Sequence, residues 1–174
     1  MTQFQKNILV TGYSGSAGKS FLITQKIIPI APIFQSSISH ATREPRGAEK
    51  NGKEYHFIKP LKNEKMILQR SFLEYTNPAK DIYYGSSVAE YKKARKAEKF
   101  LAFDVDYKGF EQLTAPNSIL KNQLVTVLLL TPVWQRIAWM QKRGDMTNES
   151  IIKRVSYSDK VERPFFEKNK TSFD

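Results

Sequence analysis

The sequence contains no cysteine, so it has neither disulfide bonds nor cysteine-ligated metal sites. A chain without cysteine suits a reducing compartment, and we predict a cytoplasmic protein. The first ten residues lack the long apolar run and small-residue cleavage site of a secretion signal. The longest apolar run, over 125–133, is far too short to span a bilayer, and we predict no membrane partner.

Acidic residues are also scarce: 17 Asp and Glu stand against 28 Lys and Arg, which gives a formal net charge of +11. The lysines of segment 90–99 have helical spacing and interleaved glutamates, a pattern typical of a solvated helix face. No aromatic-basic motif of the common RNA-binding modules occurs. We therefore interpret the charge as a sign of small anionic ligands and predict no nucleic-acid partner. His40 and His56 lack metal-ligand spacing and are interpreted as structural.

Apolar runs alternate with helical patterns along most of the 174 residues, which predicts one α/β domain with a parallel sheet flanked by helices. The predicted strands are 7–11, 34–39, 55–58, 72–76, 82–86, 100–106 and 124–130. The predicted helices are 19–28, 62–70, 88–99, 109–115, 132–143 and 149–161. Pro29 and Pro32 should end the first helix and Pro164 the last, since proline lacks the N–H that a helix interior uses. Segment 34–88 has too little helix for plain βαβ units, which predicts a small β-rich lobe inserted there.

The segment Val10 to Phe21, VTGYSGSAGKSF, passes from a predicted strand into a predicted helix through a glycine-rich turn. Backbone N–H groups and the helix dipole at such a turn attract phosphate. We expect Lys19 to reach the β- and γ-phosphates of a nucleoside triphosphate and Ser20 to bind Mg²⁺. The nucleotide-binding residues predicted here are Gly12, Ser14, Gly15, Gly18, Lys19 and Ser20. Five residues separate Gly12 from Gly18, one more than the usual spacing, so we expect a bulge near 16–17. The alternative is a flexible Gly/Ser turn.

Arg43 and Arg46 lie three residues apart, and Pro45 favours an extended backbone between them. Two guanidinium groups so placed suit the oxygens of one phosphate, and Tyr55 could add a hydroxyl donor. Surface arginines are common, so the pair alone is weak evidence.

Glu74 lies between the apolar neighbours Leu73 and Tyr75, where a carboxylate needs partners. Guanine offers two parallel donors on one edge, N1–H and the exocyclic amine, and adenine lacks that pair. A local salt bridge is the alternative interpretation. Tyr84 and Ser86 follow with hydroxyl groups.

Asp104 and Asp106 come at the end of an apolar strand and should point to the same side. In a parallel sheet, that end opens on the ligand crevice, where a carboxylate commonly helps to hold Mg²⁺ or a substrate. Arg143 and Arg154 flank the loop after the fifth predicted helix. Arginines over a phosphoryl-transfer centre stabilise the developing charge, although an exposed basic loop is the plainer alternative.

Together these motifs resemble guanylate kinases, in the family's order, from Ile8 to about Val155. The segments that carry the resemblance are SISHATREPR with NGKEYHF, FLEY with YYGSS, DVDYKG, and RGDMTNESIIKRV. The resemblance implies phosphoryl transfer from ATP to GMP, or to dGMP, with Mg²⁺. The residues that match its GMP-binding positions are Ser39, Arg43, Arg46, Tyr55, Glu74, Tyr84, Ser86 and Asp104.

The resemblance also implies catalytic roles for Lys19, Arg46, Arg143 and Arg154, and magnesium binding by Ser20 with Asp104. It implies a P-loop core over 1–33 and 88–174, a GMP-binding lobe over about 34–87, and a lid over about 136–154. Family members continue with a further apolar strand from the position of Phe173 and Asp174, where this sequence stops, so we expect the sheet edge beside 124–130 to be exposed.

Three other functions stay open at this point. A guanylate-kinase-like binding module without kinase activity would fit the altered phosphate loop. A P-loop kinase for another acceptor, such as a deoxynucleotide, would fit because no residue clearly reads the ribose. Nucleic-acid binding would draw on the positive charge.

Overall fold

A computed structural model describes residues 6–15 and 17–174. The strands are β1 (Asn7–Gly12), β2 (Phe34–Ser36), β3 (His40–Ala41), β4 (His56–Phe57), β5 (Phe72–Ala79), β6 (Ile82–Ser87), β7 (Phe100–Asp104) and β8 (Leu124–Leu129). The α-helices are α1 (Lys19–Phe21), α2 (Ile28–Ile30), α3 (Pro60–Leu68), α4 (Val88–Lys96), α5 (Tyr107–Thr114), α6 (Val133–Arg143), α7 (Asn148–Tyr157) and α8 (Arg163–Lys168). The π-helical segments Leu22–Ile27 and Ser158–Glu162 join α1 to α2 and α7 to α8, and a 3₁₀ turn, Lys170–Ser172, follows α8.

The first sheet is parallel, with strand order β2-β7-β1-β8, which confirms the predicted fold class. β1 and β7 occupy its centre and are almost entirely buried, because both are continuous apolar runs that suit a sheet covered by helices on both faces. Their carboxyl ends meet at one edge, where β1 runs into the glycine-rich loop. This arrangement places the phosphate loop beside Asp104.

The second sheet contains the shorter strands in the order β4-β3-β6-β5, and its largest unit is the antiparallel pair β5–β6. The two histidines lie opposite each other on β3 and β4, with ring centroids 4.9 Å apart. His56 Nε2 lies 3.2 Å from Glu90 Oε1, and burial lowers the pKa of His40 to about 4. Both contacts lie within the packing between the sheet and α4, which fits a structural role.

Several element boundaries differ from the prediction. The strand expected over 34–39 ends at Ser36, and the chain then crosses to the second sheet, where β3 lies in the segment predicted as loop. β2 pairs with β7 in the first sheet, so the second sheet begins only at His40. The pattern of apolar residues continues across this crossing, so it could not reveal the change of sheet.

The main core lies between the first sheet and α4 and α5, where Leu9, Leu101, Phe103 and Leu113 are fully buried. Phe173 stacks on Phe110 with ring centroids 4.7 Å apart, so the end of the described chain is packed against the same core. Burial of these side chains is the dominant stabilising contribution to such a layered fold.

The prediction that Pro164 ends the last helix is wrong, and Pro29 does not end the first one, although the first helical run does end before Pro32. Pro29 lies inside a helical run that continues to Ile30, and Pro164 lies inside one that continues to Lys168. In each case a π-helical segment comes directly before, and the residue preceding the proline donates its N–H to the carbonyl five residues back: Ile28 to Ile23, and Arg163 to Ser158. The proline then occupies one of the first positions of a new α-helical segment, where no N–H is needed.

β8 is an edge strand of the parallel sheet within the described residues. Asp174 contacts it from the outside: its N–H donates to Thr126 O over 3.0 Å, and its Oδ2 accepts the Thr126 N–H over 2.7 Å. Asp174 therefore forms hydrogen bonds with both polar backbone groups of Thr126 on this edge strand. Among the described residues, no helix has the length and apolar character required to cross a membrane.

Candidate active site

The glycine-rich loop after β1 passes so close to its neighbours that side chains are excluded at two positions. A Cβ atom at Gly12 would lie 2.4 Å from the carbonyl oxygen of Leu129, and one at Gly15 would lie 2.5 Å from Cδ of Arg154. Gly18 precedes α1 with φ at 87°, a left-handed conformation that glycine adopts without strain. The bulge expected near 16–17 includes Ser16, which lies outside the described residues.

The structure brings Lys19, Ser20 and Asp104 together at the carboxyl edge of the parallel sheet. The Ser20 hydroxyl donates a hydrogen bond to Asp104 Oδ2, and Lys19 Nζ lies 3.8 Å from Asp104 Oδ1. The contact follows from topology, because β1 and β7 are parallel neighbours and Asp104, at the end of β7, pairs with Val10 near the end of β1. An ammonium, a hydroxyl and a carboxylate thus face one another where the phosphate loop begins its helix.

Asp106 has a different role from Asp104. The strand ends at Asp104, and Asp106 is the N-cap of α5, with its side chain accepting the Gly109 N–H over 2.9 Å. Burial raises the pKa of Asp106 above its ordinary value. The prediction that both aspartates belong to the strand is therefore wrong, because the second one starts the next helix.

Glu74 lies on β5 and is 5% exposed, with Oε1 accepting the Ser86 N–H from β6 over 2.9 Å. Ser86 Oγ lies 3.3 Å from Ser39 Oγ, so three predicted GMP-binding residues meet at this point. Burial raises the pKa of Glu74 to about 7. Among the described residues no cationic side chain lies within 4.0 Å of this carboxylate, so the salt-bridge alternative is not what the structure contains.

Arg43 follows β3 in the second sheet, and its guanidinium is already bound by a carboxylate and a hydroxyl group. Its Nη1 and Nη2 donate to the two carboxylate oxygens of Glu49 over 2.6 and 2.8 Å, and its Nε donates to Tyr84 Oη over 3.1 Å. The guanidinium carbon lies 5.0 Å from the ring centroid of Tyr55, and burial raises the pKa of Tyr55 to about 12. The Tyr55 hydroxyl thus stays protonated at neutral pH and able to donate.

Two of the three predicted catalytic arginines, Arg46 and Arg143, share a carboxylate. Arg143 Nε donates to Asp145 Oδ1 over 2.6 Å, and Arg46 Nη1 lies 3.5 Å from Asp145 Oδ2. Burial acts to raise the pKa of Asp145, but the hydrogen bond from Arg143 and both positive charges hold it below its usual range. Burial, with the charges of Arg143 and Arg46, lowers the pKa of Arg154.

Four residues at the site were not among the predicted site residues. Glu49 and Asp145 bind predicted phosphate-binding arginines, while Arg136 and Glu162 bind the backbone of Ser14. All four act through contacts between distant segments or irregular loops. An acidic residue close to an arginine-rich loop, as at 143–145, is the only signal that could have indicated one of them.

Comparisons with known proteins identify the family to which this chain is similar. The family model described as guanylate kinase matches residues 4–168. A guanylate kinase of Porphyromonas gingivalis is 32% identical over 156 residues, 89% of this chain and 81% of that protein. A guanylate kinase of Sus scrofa is 30% identical over 149 residues, 86% of this chain and 73% of that protein.

A solved structure supports the fold independently of close sequence similarity. The crystal structure of guanylate kinase from Anaplasma phagocytophilum superposes with a TM-score of 0.58 at 15% identity, over 88% of this chain and 72% of that one. Together with a family match that spans nearly the whole sequence, this likeness leads to one conclusion: the chain belongs to the guanylate kinase family.

Proposed function

We propose that this protein transfers the γ-phosphoryl group of ATP to GMP, giving ADP and GDP. The observation that carries the proposal is the position of Arg154, whose side chain packs against Gly15 of the glycine-rich loop. Arg46 and Arg143 share the Asp145 carboxylate, and burial together with the charges of these two arginines lowers the pKa of Arg154. Positive groups fixed around one point suit the charge that develops when a phosphoryl group moves.

Glu74 and Ser86 are proposed to read the guanine base. The ionised carboxylate of Glu74 would accept the N1–H and exocyclic amine donors of guanine, and adenine cannot offer both. Because the carboxylate is buried beside the Ser86 N–H, a base lacking those donors would leave a charged acceptor without a partner. Ser39 completes this polar cluster, and dGMP stays a second predicted acceptor.

Arg43, Tyr55 and Tyr84 are proposed to bind the phosphate of GMP. Arg43 presents both Nη atoms to the Glu49 carboxylate, and the same bidentate geometry suits two phosphate oxygens. Glu49 would have to release the guanidinium when phosphate binds, or share it. Asp145 holds a corresponding place between Arg46 and Arg143.

The ATP side is proposed to comprise the loop glycines with Ser14, together with Lys19, Ser20 and Asp104. A hydroxyl and a carboxylate in contact are the oxygen donors that Mg²⁺ accepts, so Ser20 and Asp104 fit as its ligands. The ion would neutralise phosphate charge when bound. Lys19 would donate to the β- and γ-phosphates, after release from its neighbour Asp104.

In the reaction a GMP phosphate oxygen attacks the γ-phosphorus, and the bond from that phosphorus to the bridging oxygen of ADP breaks. The acceptor phosphate is already nucleophilic, so the protein supplies position and charge rather than a base. The arginines hold the transferring group, and closure of the proposed lid over about 136–154 onto the proposed lobe over about 34–87 excludes water. The core is proposed to comprise 1–33 and 88–174, and the cytoplasm stays the predicted location.

The test is ADP release from ATP and Mg²⁺, with and without GMP, on the 174-residue chain. GMP-dependent release at a rate well above ATP hydrolysis alone is the expected result. GMP binding without any turnover would overturn the kinase proposal and leave a binding module. Replacing GMP by AMP, IMP and dGMP in parallel tests base and ribose selection.

A further inference from the structure

The phosphate loop is anchored at Ser14 through both polar groups of that residue's backbone. Its N–H donates to Glu162 Oε2 over 2.9 Å, and its carbonyl oxygen accepts a hydrogen bond from Arg136 Nη2 over 2.8 Å. Both polar backbone groups of Ser14 are therefore bound by side chains from α6 and from the π-helical segment Ser158–Glu162. They lie 122 and 148 residues away along the sequence.

The two side chains that hold Ser14 are among the most buried charged groups of the described chain. Glu162 is 1% exposed and Arg136 is 2% exposed. Arg136 Nη2 also donates to Ser158 Oγ over 2.7 Å, and its guanidinium carbon lies 4.8 Å from the ring centroid of Tyr13. Burying a charge lowers the stability of the folded protein unless the charge is paired and hydrogen-bonded. Packing alone therefore does not account for this cluster.

The π-helical segment supplies one of the two Ser14 contacts and supports the other. Glu162, its last residue, accepts the Ser14 N–H, and Ser158, its first residue, accepts a hydrogen bond from Arg136 Nη2. A π turn shifts every later residue around the helix axis relative to a continuous α-helix, and such turns recur at functional sites. Without it, Glu162 would be rotated away from Ser14.

The loop that these residues hold is longer than usual by one residue, with five residues between Gly12 and Gly18. A longer loop has more conformations, so it loses more entropy when its amides are aligned on a phosphate. Thr131 Oγ1 adds an anchor on the other side by donating to Ala17 O over 2.7 Å. The lengthened loop is thus fixed on both sides of its middle.

We propose that Arg136 and Glu162 are positioning residues for ATP, which hold Ser14 by both backbone polar groups so that the lengthened loop presents its remaining amides to the phosphates. Neither side chain touches the reacting atoms in this assignment. The inference rests on the proposed function, because it takes the loop to be the ATP site. It predicts that loss of either contact to Ser14 raises the KM for ATP and leaves the KM for GMP nearly unchanged.

The first test compares Glu162→Gln with Glu162→Met, which have similar length but differ in whether they accept a hydrogen bond. We expect Glu162→Met to raise the KM for ATP about tenfold and to leave the KM for GMP within about twofold, since one buried backbone donor loses its acceptor. Glu162→Gln keeps an acceptor oxygen and should stay within about threefold of the wild type for both substrates. Glu167→Ala, on the exposed face of α8, is the matched control.

A second pair of variants distinguishes a positioning role from a general loss of stability. Arg136→Met removes the donor to the Ser14 carbonyl and should repeat the selective rise in the KM for ATP. Leu120→Ala, a core truncation, should lower the melting temperature without a difference between the two substrates. If the Glu162 and Arg136 variants change both KM values equally, or if Glu162→Gln is as poor as Glu162→Met, the positioning role is overturned.

The two proposals can fail separately. Wild-type turnover with no ATP-selective effect in these variants would remove the positioning role and leave the kinase. If the wild type shows no turnover, equilibrium dialysis with labelled ATP and Mg²⁺ replaces the kinetics. Weaker ATP binding by Glu162→Met than by Glu162→Gln would then still support the role, and equal binding would exclude it.

Discussion

Glu74 and Ser86 face each other across the antiparallel pair β5–β6, and the Ser86 N–H donates to Glu74 Oε1 over 2.9 Å. This bond orients one carboxylate oxygen and leaves the other, Oε2, as an acceptor. A Cβ atom at Gly109 would lie 2.9 Å from Oε2, so the carboxylate is also closely confined. A buried acceptor held in one orientation is a device for selecting among bases.

We expect Glu74→Ala to weaken GMP binding about a hundredfold or more and to change ATP binding little, because it removes a charged acceptor from the base edge. Titration calorimetry with each nucleotide measures both effects. Glu111→Ala, an exposed glutamate of α5, is the control. Equal losses for GMP and ATP would count against a guanine-reading role.

The pH dependence of GMP use follows from the same carboxylate. Burial raises the pKa of Glu74 from 4.5 to about 7, so in the free protein it becomes protonated as the pH falls through 7. Only the ionised form accepts both guanine donors, so kcat/KM for GMP should fall below pH 7 and approach a tenfold loss per unit. In Glu74→Gln this inflection should disappear, while the titration of the GMP phosphate itself remains. An unchanged inflection in the variant would assign it to another group.

The same pKa shift predicts the sign of a stability change. The folded protein binds this proton more tightly than the unfolded chain does between pH 4.5 and 7. Its stabilising contribution is therefore present at low pH and is lost as the pH rises through 7. Between pH 4.5 and 7, the melting temperature of the wild type should consequently fall relative to that of Glu74→Gln as the pH rises.

Lys19→Ala should reduce turnover by at least about a hundredfold, since the ammonium group is the fixed positive charge at the loop. GMP binding should remain close to that of the wild type, because Glu74 and Ser86, which are proposed to read the guanine base, lie on the second sheet. Stopped assays for ADP and a separate GMP titration provide the two readouts. Lys26→Ala, an exposed lysine on the same helical run, is the control, and normal turnover in Lys19→Ala would place ATP elsewhere.

Asp145→Asn tests whether the carboxylate between Arg46 and Arg143 competes with phosphate. The pairs are partly exposed and weak, so we expect a modest decrease of about two- to fivefold in the KM for GMP when the charge is removed. Asp81→Asn, at the exposed β5–β6 turn, is the control. A clear loss of kcat would instead mean that Asp145 positions the arginines for catalysis.

The local parts of the site were predictable from sequence. The loop that begins at Gly12 was recognisable from the spacing of its glycines and of Lys19 and Ser20 at the following helix. The apolar runs of β1, β7 and β8 predicted the parallel sheet, in which Asp104 lies beside the loop. The sheet was predictable because the geometry of strands and of strand–helix turns is set by short-range backbone constraints.

The tertiary structure decided what those residues contact. The sequence could not show that Glu49 and Asp145 already bind the arginines that are proposed to bind phosphate, nor that helices continue through Pro29 and Pro164 after π turns. It also could not show that Arg136 and Glu162 hold Ser14, because those partners are more than a hundred residues apart and meet only when α6 and the last helical run pack on the loop. Spacing in the chain determines local backbone geometry, whereas the neutralisation of buried charge depends on which distant segments the fold brings within hydrogen-bonding distance.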